Sequence, residues 1–245
     1  MTVTARALAP LSIVDRIAEL PWPRLAVQLD AAGFATTRVL LNIHECVELA
    51  ASYPQAGLFR SRIDMSRHHF GRGEYQYFAY PLPRLVSEMR RAFYPHLVDI
   101  ANDWHGRMRL KTHFPRDHAE FLATCHAAGQ SRPTPLILRY GPGDYNCLHQ
   151  DLYGEAVFPL QVAVLLSAPG TDFSGGELVL TEQRPRMQSR ASVVSFNQGE
   201  AVIFAVNQRP VRGARGDYRV AMRHGVSTLT RGERYTLGII FHDAK

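Results

Sequence analysis

The sequence predicts a mainly β protein with N-terminal helices and a jelly-roll core, also called a double-stranded β-helix. The spacing of apolar residues changes near residue 133 from a helical period to a period of two. After that point, short apolar runs are separated by Gly, Pro and Asn turn signals. With 245 residues, 46% of them hydrophobic, the chain can bury a substantial core. We therefore predict one structural domain, in which residues 1–132 form a helical extension with a hairpin, packed on a jelly-roll core at 133–245.

Four segments of the first half are typical of helices: WPRLAVQLDAAGF, HECVELAASY, LPRLVSEMRRAFYPHLVDIANDWHGRM and PRDHAEFLATCHAAG. In the first segment, Leu25 and Leu29 are four residues apart and Gly33 is a suitable C-terminal cap. Pro95 predicts a bend in the third helix. The stretch FRSRIDMSRHHFGRGEYQYFAY alternates polar and apolar residues, which predicts a hairpin between the second and third helices.

Eight strands are predicted after residue 133: PLILRY, YNCLHQDLY, FPLQVAVLLSA, GGELVLTE, ASVVSFN, EAVIFAV, YRVAMRHGVST and RYTLGIIFHD. Eight strands at this spacing favour two packed antiparallel sheets with an interior that can hold a ligand. Between two of them, PVRGARGDYR is predicted to be a mobile arginine-rich loop at the mouth of the barrel. His242 and Asp243, which end the last strand, are predicted to be terminal polar residues.

The chain is basic, and its positive charge is carried by arginine. The formal net charge is +6, and Lys111 and Lys245 are the only lysines. Arginine grips phosphate and carboxylate groups through two parallel hydrogen bonds, so the composition favours contact with nucleic acid, although arginine-biased codon usage would produce the same excess. Cys46, Cys125 and Cys147 lie far apart without a CxxC pair, which indicates neither a disulfide framework nor a cysteine zinc site.

We expect a cytoplasmic protein that makes no membrane contact. The N-terminal stretch MTVTARALAPLSIVDRIAEL lacks the uninterrupted apolar core of a secretory signal. No stretch approaches the roughly 18 consecutive apolar residues that a membrane span needs.

A candidate metal site lies in the stretch RYGPGDYNCLHQDLYG. His149 and Asp151 are two residues apart, so on a strand they point to the same face. By themselves they could be a hydrogen-bonded pair at a strand end, but His224, on the seventh predicted strand, offers a third ligand. Two histidines and one carboxylate form the facial triad that leaves positions of Fe(II) open. Zinc could use the same ligands.

Arg234 follows His224 by ten residues and lies on the last predicted strand. A buried guanidinium is unfavourable without an anion, whereas a carboxylate facing it would form a charge-assisted pair. An iron site needs an electron source, and 2-oxoglutarate would supply both the electrons and the carboxylate.

The HxD motif, the distal histidine and the arginine, set in eight strands, resemble the Fe(II)/2-oxoglutarate dioxygenases over roughly residues 134–243. The stretch RYGPGDYNCLHQD, with Tyr140 nine residues before His149, is similar to AlkB-type demethylases of alkylated nucleic acid and to a bacterial family of oxygenases acting on damaged DNA. AlkB-type enzymes usually have an Asn and a second Arg where this chain has Leu138 and Ile240. The stretches FSGGELVLTE and QGEAVIF are closer to the prolyl-hydroxylase-like branch.

The resemblance implies a role for each site residue. Fe(II) would be bound by His149, Asp151 and His224, and Arg234 would pair with the far carboxylate of 2-oxoglutarate, with O2 as the second cosubstrate. Tyr140 and Thr236 are candidate hydroxyl donors to that carboxylate. For Tyr140, an aromatic ring that fills the mouth of the barrel is an equal alternative.

The predicted function is therefore an Fe(II)/2-oxoglutarate dioxygenase acting by oxidative demethylation of alkylated nucleic acid. A hydroxylase of a protein or a small molecule on the same scaffold is the alternative. A zinc hydrolase that uses the same three ligands is disfavoured because no obvious general-base Glu accompanies them, and Glu155 is the one candidate left open. A catalytically silent binding module is disfavoured because every expected ligand is present.

The predicted hairpin places cations next to aromatic residues: Arg60, Arg62, Arg67, His68, His69 and Arg72 beside Tyr75, Tyr77 and Phe78. Guanidinium groups contact phosphates and aromatic rings stack on bases, so a flexible or extruded strand of nucleic acid fits this composition. Arg67, Arg72, Tyr75 and Tyr77 are the candidate substrate residues. The alternative is an ordinary basic hairpin whose aromatics pack onto the helices.

Overall fold

The computed structural model describes residues 11–245, and the α-helices of this range all lie before residue 128. They are α1 (Ile13–Ala18), α2 (Trp22–Ala32), α3 (Ile43–Ala51), α4 (Arg84–Arg107) and α5 (His118–Ala127). Residues 1–10, which belong to the stretch used to predict location, lie outside the described residues. Within residues 11–245, no helix combines the length and the hydropathy needed to cross a membrane.

The helix ends have clear local causes. Gly33 ends α2 in the left-handed conformation, with φ of 80°, and its N–H donates to the carbonyl of Leu29. Asn42 and Glu45 form a reciprocal capping box at the start of α3. The helix α4 continues through Pro95.

The larger of the two main sheets has seven strands in the order β1-β11-β7-β15-β5-β4-β2. Their bounds are β1 (Phe34–Val39), β2 (Phe59–Asp64), β4 (Glu74–Phe78), β5 (Leu136–Tyr140), β7 (Leu160–Leu165), β11 (Glu200–Ala205) and β15 (Arg234–Ile239). The predicted hairpin is present as β2 paired with β4, and β4 continues the sheet by pairing with β5. Strands from both halves of the chain therefore share this sheet.

The smaller sheet has the order β10-β9-β13-β6-β3, and β12 also pairs with β13. Its strands are β3 (Gly71–Arg72), β6 (Tyr145–His149), β9 (Leu178–Gln183), β10 (Arg190–Val194), β12 (Gln208–Gly213) and β13 (Gly216–Val226). A further two-stranded sheet joins β8 (Phe173–Gly175) to β14 (Leu229–Gly232).

The predicted fold class is confirmed: all eight predicted strands are present, in antiparallel sheets whose residues line a common interior. Apolar side chains of both sheets, among them Val162, Ile203, Leu180 and Met222, belong to one continuous core with the helices. Outside the predicted hairpin, four strands were not predicted: β1, β8, β12 and β14, which contain only three to six residues each.

Two local predictions are wrong. The segment predicted to be a mobile arginine-rich loop is the hairpin β12–β13, with a six-pair ladder from Gln208↔Ala221 to Gly213↔Gly216. His242 and Asp243, predicted to be terminal polar residues, are fully buried. Asp243 accepts hydrogen bonds from Arg90 of α4 (2.9 Å) and from the hydroxyl of Tyr80 (2.9 Å), which satisfies its charge.

Candidate active site

Two neighbouring strands of the smaller sheet bring the three predicted metal ligands together. His149 ends β6, and its direct partner in the ladder is His224 of β13. Asp151 follows two residues beyond β6, with its Oδ1 3.4 Å from His149 Nε2 and its Oδ2 3.3 Å from His224 Nε2. One ligand atom from each residue lies within 4.8 Å of the others. This compact N, N, O set fits Fe(II), which the facial triad binds with positions left open for other ligands.

A bulge aims these side chains into the interior. Between the pairs His224↔His149 and Val226↔Asn146, β13 advances two residues while β6 advances three. Gly225 lies at this point, and a Cβ built on it would be 2.6 Å from the carbonyl oxygen of Asn146. The close approach of the two backbones therefore requires glycine.

Hydrogen bonds outside the triad fix the ligand orientations. The Nδ1 of His149 lies 2.8 Å from the carbonyl oxygen of Cys147, which directs Nε2 toward the cluster. The Tyr153 hydroxyl donates to Oδ1 of Asp151 at 2.7 Å. On the opposite side of the site, Nε2 of Gln161 lies 3.3 Å from His224 Nε2.

The three ligands shift one another's pKa. Burial tends to raise the pKa of Asp151, but the charge of His224 and the hydrogen bond from His149 hold it well below its usual range. Burial and the neighbouring His149 lower the pKa of His224. These shifts favour the deprotonated forms of Asp151 and His224, which are the forms that bind a metal. Burial tends to lower the pKa of His149, but its hydrogen bond to Asp151 raises it.

The same cavity contains the predicted anion site. Arg234 is 2% exposed, and its Nη1 donates to Thr236 Oγ1 at 2.7 Å. No carboxylate of residues 11–245 lies within ion-pair distance of it, and its Nε has no hydrogen-bond partner there. Burial lowers the pKa of Arg234 to about 10. A buried guanidinium without a counter-ion fits an anionic ligand.

Tyr140 and Thr236, the predicted hydroxyl donors, lie beside Arg234. Tyr140 is opposite Arg234 in the ladder between β5 and β15, and the guanidinium carbon lies 5.7 Å from the centre of its ring. The Tyr140 hydroxyl is buried without a hydrogen-bond partner among the described residues.

The three candidate metal ligands and Arg234 line one cavity of about 180 Å³. Its wall includes the triad, Arg234, Thr236 and Tyr140, together with Tyr75, Tyr153, Gln161 and apolar side chains of both sheets. Phe70, 47% exposed, is also part of the lining. A ligand that binds the metal at one end and Arg234 at the other fits this arrangement.

The predicted substrate residues occupy different environments. Tyr75 lines the cavity, whereas Tyr77 is buried in a cluster with Leu136 and Ile240 and lies under the guanidinium of Arg60. Arg67 and Arg72 are exposed. Glu155, the base considered for a zinc hydrolase, has an 83% exposed side chain 3.5 Å from Lys245 and is not among the cavity-lining residues.

Sequence reasoning missed two residues of the site. Tyr153 follows Asp151 by two residues, and its position next to the HxD motif was a signal for it. Gln161 interrupts the otherwise apolar strand LQVAVL, so a lone carboxamide at a core position was the available signal.

Comparison with known proteins identifies the family. Residues 73–244 match the model of a family described as an oxygenase catalysing oxidative methylation of damaged DNA. An uncharacterized protein of Mycobacterium tuberculosis is 50% identical over 167 residues, which cover 68% of this chain and 72% of that protein.

Two solved structures share the fold. An oxidoreductase of the 2OG-Fe(II) oxygenase family from Burkholderia pseudomallei has a TM-score of 0.55 at 16% identity, covering 92% of this chain and 94% of that chain. A prolyl hydroxylase from Trichoplax adhaerens, in complex with a hypoxia inducible factor peptide, has a TM-score of 0.53 at 16% identity, covering 91% and 89%. The chain therefore belongs to this family of oxygenases and has the jelly-roll fold of the 2OG-Fe(II) oxygenases.

Proposed function

We propose that this oxygenase uses Fe(II), 2-oxoglutarate and O2 to remove methyl groups from alkylated nucleic acid. The observation that carries the cosubstrate assignment is Arg234, a buried guanidinium without a carboxylate partner in residues 11–245, in the cavity that contains the triad. When bound, the iron centre supplies the oxidation of a C–H bond by O2, coupled to conversion of 2-oxoglutarate to succinate and CO2.

The residues of the chain would bind the metal, orient the cosubstrate and exclude water from the cavity. His149, Asp151 and His224 would hold the metal, while Arg234 with Thr236 would orient the far carboxylate of the cosubstrate. The enclosing apolar side chains keep bulk water out of the site. Hydroxylation of an N-methyl group gives a carbinol that releases formaldehyde, so oxidation and demethylation are one net reaction.

The nucleic-acid part of the proposal is supported by an exposed, arginine-containing surface next to the cavity. We call this surface the cationic rim: it consists of Arg67, His68, His69, Phe70 and Arg72, and its Phe70 is also part of the cavity lining. Arg72 makes no ion pair with any residue in the range 11–245. The Nε of Arg67 lies 3.5 Å from Asp64 Oδ2, but the Arg67 side chain is still 80% exposed. Cations at this position suit the phosphates of a strand whose base enters the cavity.

Aromatic rings continue from this rim into the cavity. His68 stacks on Phe70 with 5.4 Å between ring centres, and Phe70 also lines the cavity. Deeper in the cavity, Tyr75 is a candidate platform for the base, and Tyr77 supports it through an edge contact with 5.3 Å between ring centres. Stacking on such rings tolerates any base, so the chemistry at the metal would select the alkylated one.

The test of the substrate class is charge reversal on the rim. We expect Arg67→Glu with Arg72→Glu to weaken binding of a single-stranded oligonucleotide by about 10-fold or more at low salt, and the wild-type affinity to fall steeply as salt rises. Arg116→Glu is the matched control, because Arg116 is equally exposed but lies at the start of the α5 region, away from the rim. In the absence of nucleic acid, the rim variant and Arg116→Glu should both turn over 2-oxoglutarate at the wild-type rate. Salt-insensitive binding, or equal binding by the rim variant, would instead support a protein or small-molecule hydroxylase.

A further inference from the structure

Gln161 is a polar side chain in β7, a strand whose other five residues are apolar. Its neighbours on β7, Leu160 and Val162, are buried core residues, and Gln161 itself is 6% exposed. A buried carboxamide is unfavourable unless both its N–H and its C=O are hydrogen-bonded. The Oε1 of Gln161 has no partner within residues 11–245.

The nitrogen of the carboxamide points at a metal ligand. Gln161 Nε2 is 3.3 Å from His224 Nε2, the same nitrogen that lies 3.3 Å from Asp151 Oδ2. That nitrogen uses its lone pair when it binds a metal and can no longer accept a hydrogen bond. Loading the metal therefore leaves the N–H group of Gln161 without its acceptor.

The strands β15 and β7 place polar groups at two ends of the cavity. On β15, Arg234 and Thr236 form one polar end, and Gly238 lies opposite Ala163 of β7 in the ladder. Gln161 follows on the same face of β7, two residues from Ala163 and at the metal end. The cavity thus has two polar ends separated by small side chains, which suits a ligand with acceptor oxygens at both ends.

We propose that Gln161 binds the metal-bound end of 2-oxoglutarate, by donating its N–H to an oxygen of the C1 carboxylate or the oxo group. This inference rests on the proposed function, because it needs 2-oxoglutarate as the ligand. It explains why an apolar strand retains a carboxamide whose acceptor is lost on metal binding. Gln161 and Arg234 then hold opposite ends of one cosubstrate.

The experiment measures the affinity of the Mn(II)-saturated protein for two ligands by calorimetry: 2-oxoglutarate, and 2-oxobutyrate, which keeps the metal-binding end but lacks the far carboxylate. We expect Gln161→Leu to weaken both ligands by a similar factor, about 10-fold or more, since a hydrogen bond to a charged acceptor is lost. Gln161→Glu has no N–H to donate and adds a negative charge, so it should weaken both further. Arg234→Ala should weaken only 2-oxoglutarate.

Two further measurements separate ligand binding from a structural role. The Mn(II) affinity of Gln161→Leu should equal that of the wild type, and its Tm should not fall, because leucine suits the apolar strand. Gln198→Leu is the matched control: Gln198 donates to the carbonyl of Leu166 outside the cavity and should not affect either ligand.

Each remaining outcome has one meaning. An unchanged affinity for both ligands in Gln161→Leu overturns the inference, and so does a loss confined to 2-oxoglutarate, which would place Gln161 at the wrong end. A loss of Mn(II) affinity with normal ligand affinity would make Gln161 a support for His224 only. If the wild-type protein fails to bind 2-oxoglutarate, the proposed function itself is wrong.

Discussion

At the scale of single residues, we propose that the guanidinium of Arg234 binds the far carboxylate of the cosubstrate. We expect Arg234→Ala to lower the affinity of the metal-loaded protein for 2-oxoglutarate by about 10- to 100-fold, because a buried charge-assisted pair is removed. Arg234→Lys keeps the charge but cannot form two parallel hydrogen bonds, so its affinity for 2-oxoglutarate should lie between those of the wild type and Arg234→Ala. Calorimetry measures the affinity, and an unchanged metal affinity is the internal control. Wild-type binding of 2-oxoglutarate by Arg234→Ala would refute the assigned role.

Tyr153 is expected to act on the metal through Asp151. Its hydroxyl holds one carboxylate oxygen, so Tyr153→Phe should reduce metal affinity by about 10-fold, as is usual for the loss of an outer partner of a ligand. Competition with a metal chelator measures this effect. Tyr235→Phe serves as a control, because its hydroxyl contacts Glu233 at 3.4 Å outside the triad. Equal metal affinity in Tyr153→Phe and the wild type would contradict this role.

The sequence predicts the ligands better than their neighbours. The two-residue spacing predicts that His149 and Asp151 face the same way, and they do approach each other, although Asp151 lies two residues beyond the end of β6. The distal His224 needs only to lie on an adjacent strand. Tyr153 lies in a loop, where no period indicates direction. The position of Gln161 in the site could not be predicted, because an apolar run does not indicate which face of a fully buried strand meets the cavity.

At the scale of elements, the bulge between β6 and β13 positions His149 against His224. We expect Gly225→Ala to push the two strands apart, because the new Cβ would approach the Asn146 carbonyl to 2.6 Å. The variant should lose metal affinity and melt at a lower temperature. Gly106→Ala in α4 is the matched control, since a Cβ there meets no atom within 4 Å. Wild-type metal binding and Tm in Gly225→Ala would show that the strands tolerate the methyl group.

Strands are predictable from alternation, but their partners are not. The eight predicted strands are present, whereas nothing in the pattern of β1 indicates that it pairs with β11 at the edge of the larger sheet. The hairpin β12–β13 was predicted as a loop because Pro210, Gly213 and Gly216 are typical turn residues. Here they lie in or at the tip of a ladder that begins at an edge strand.

At the scale of the whole molecule, packing of the helices against the larger sheet buries two neutral histidines. Burial lowers the pKa of His118 and of His242 to about 4 in each case. His118 lies 2.8 Å from the carbonyl of Phe241, and His242 Nδ1 accepts from the N–H of Phe158 at 3.2 Å. Because unfolded histidine titrates near 6.5, the unfolded chain binds more protons between about pH 6.5 and 4.

The free energy of unfolding should therefore decrease as the pH falls through that range, by up to roughly 3 kcal/mol for each histidine. Denaturant unfolding at several pH values measures the slope. His242→Phe should flatten it, since a phenyl ring does not titrate. A free energy of unfolding that is independent of pH between 6.5 and 4 would contradict the burial of these histidines in the neutral form.

The most direct test of the account is succinate formation by the purified protein supplied with Fe(II), 2-oxoglutarate and O2, with and without a methylated single-stranded oligonucleotide. We expect succinate only when all three are present, none from Asp151→Ala, and more when the oligonucleotide is added. Turnover without iron or 2-oxoglutarate, full activity in Asp151→Ala, or no succinate under any of these conditions would contradict an oxygenase that uses this cavity.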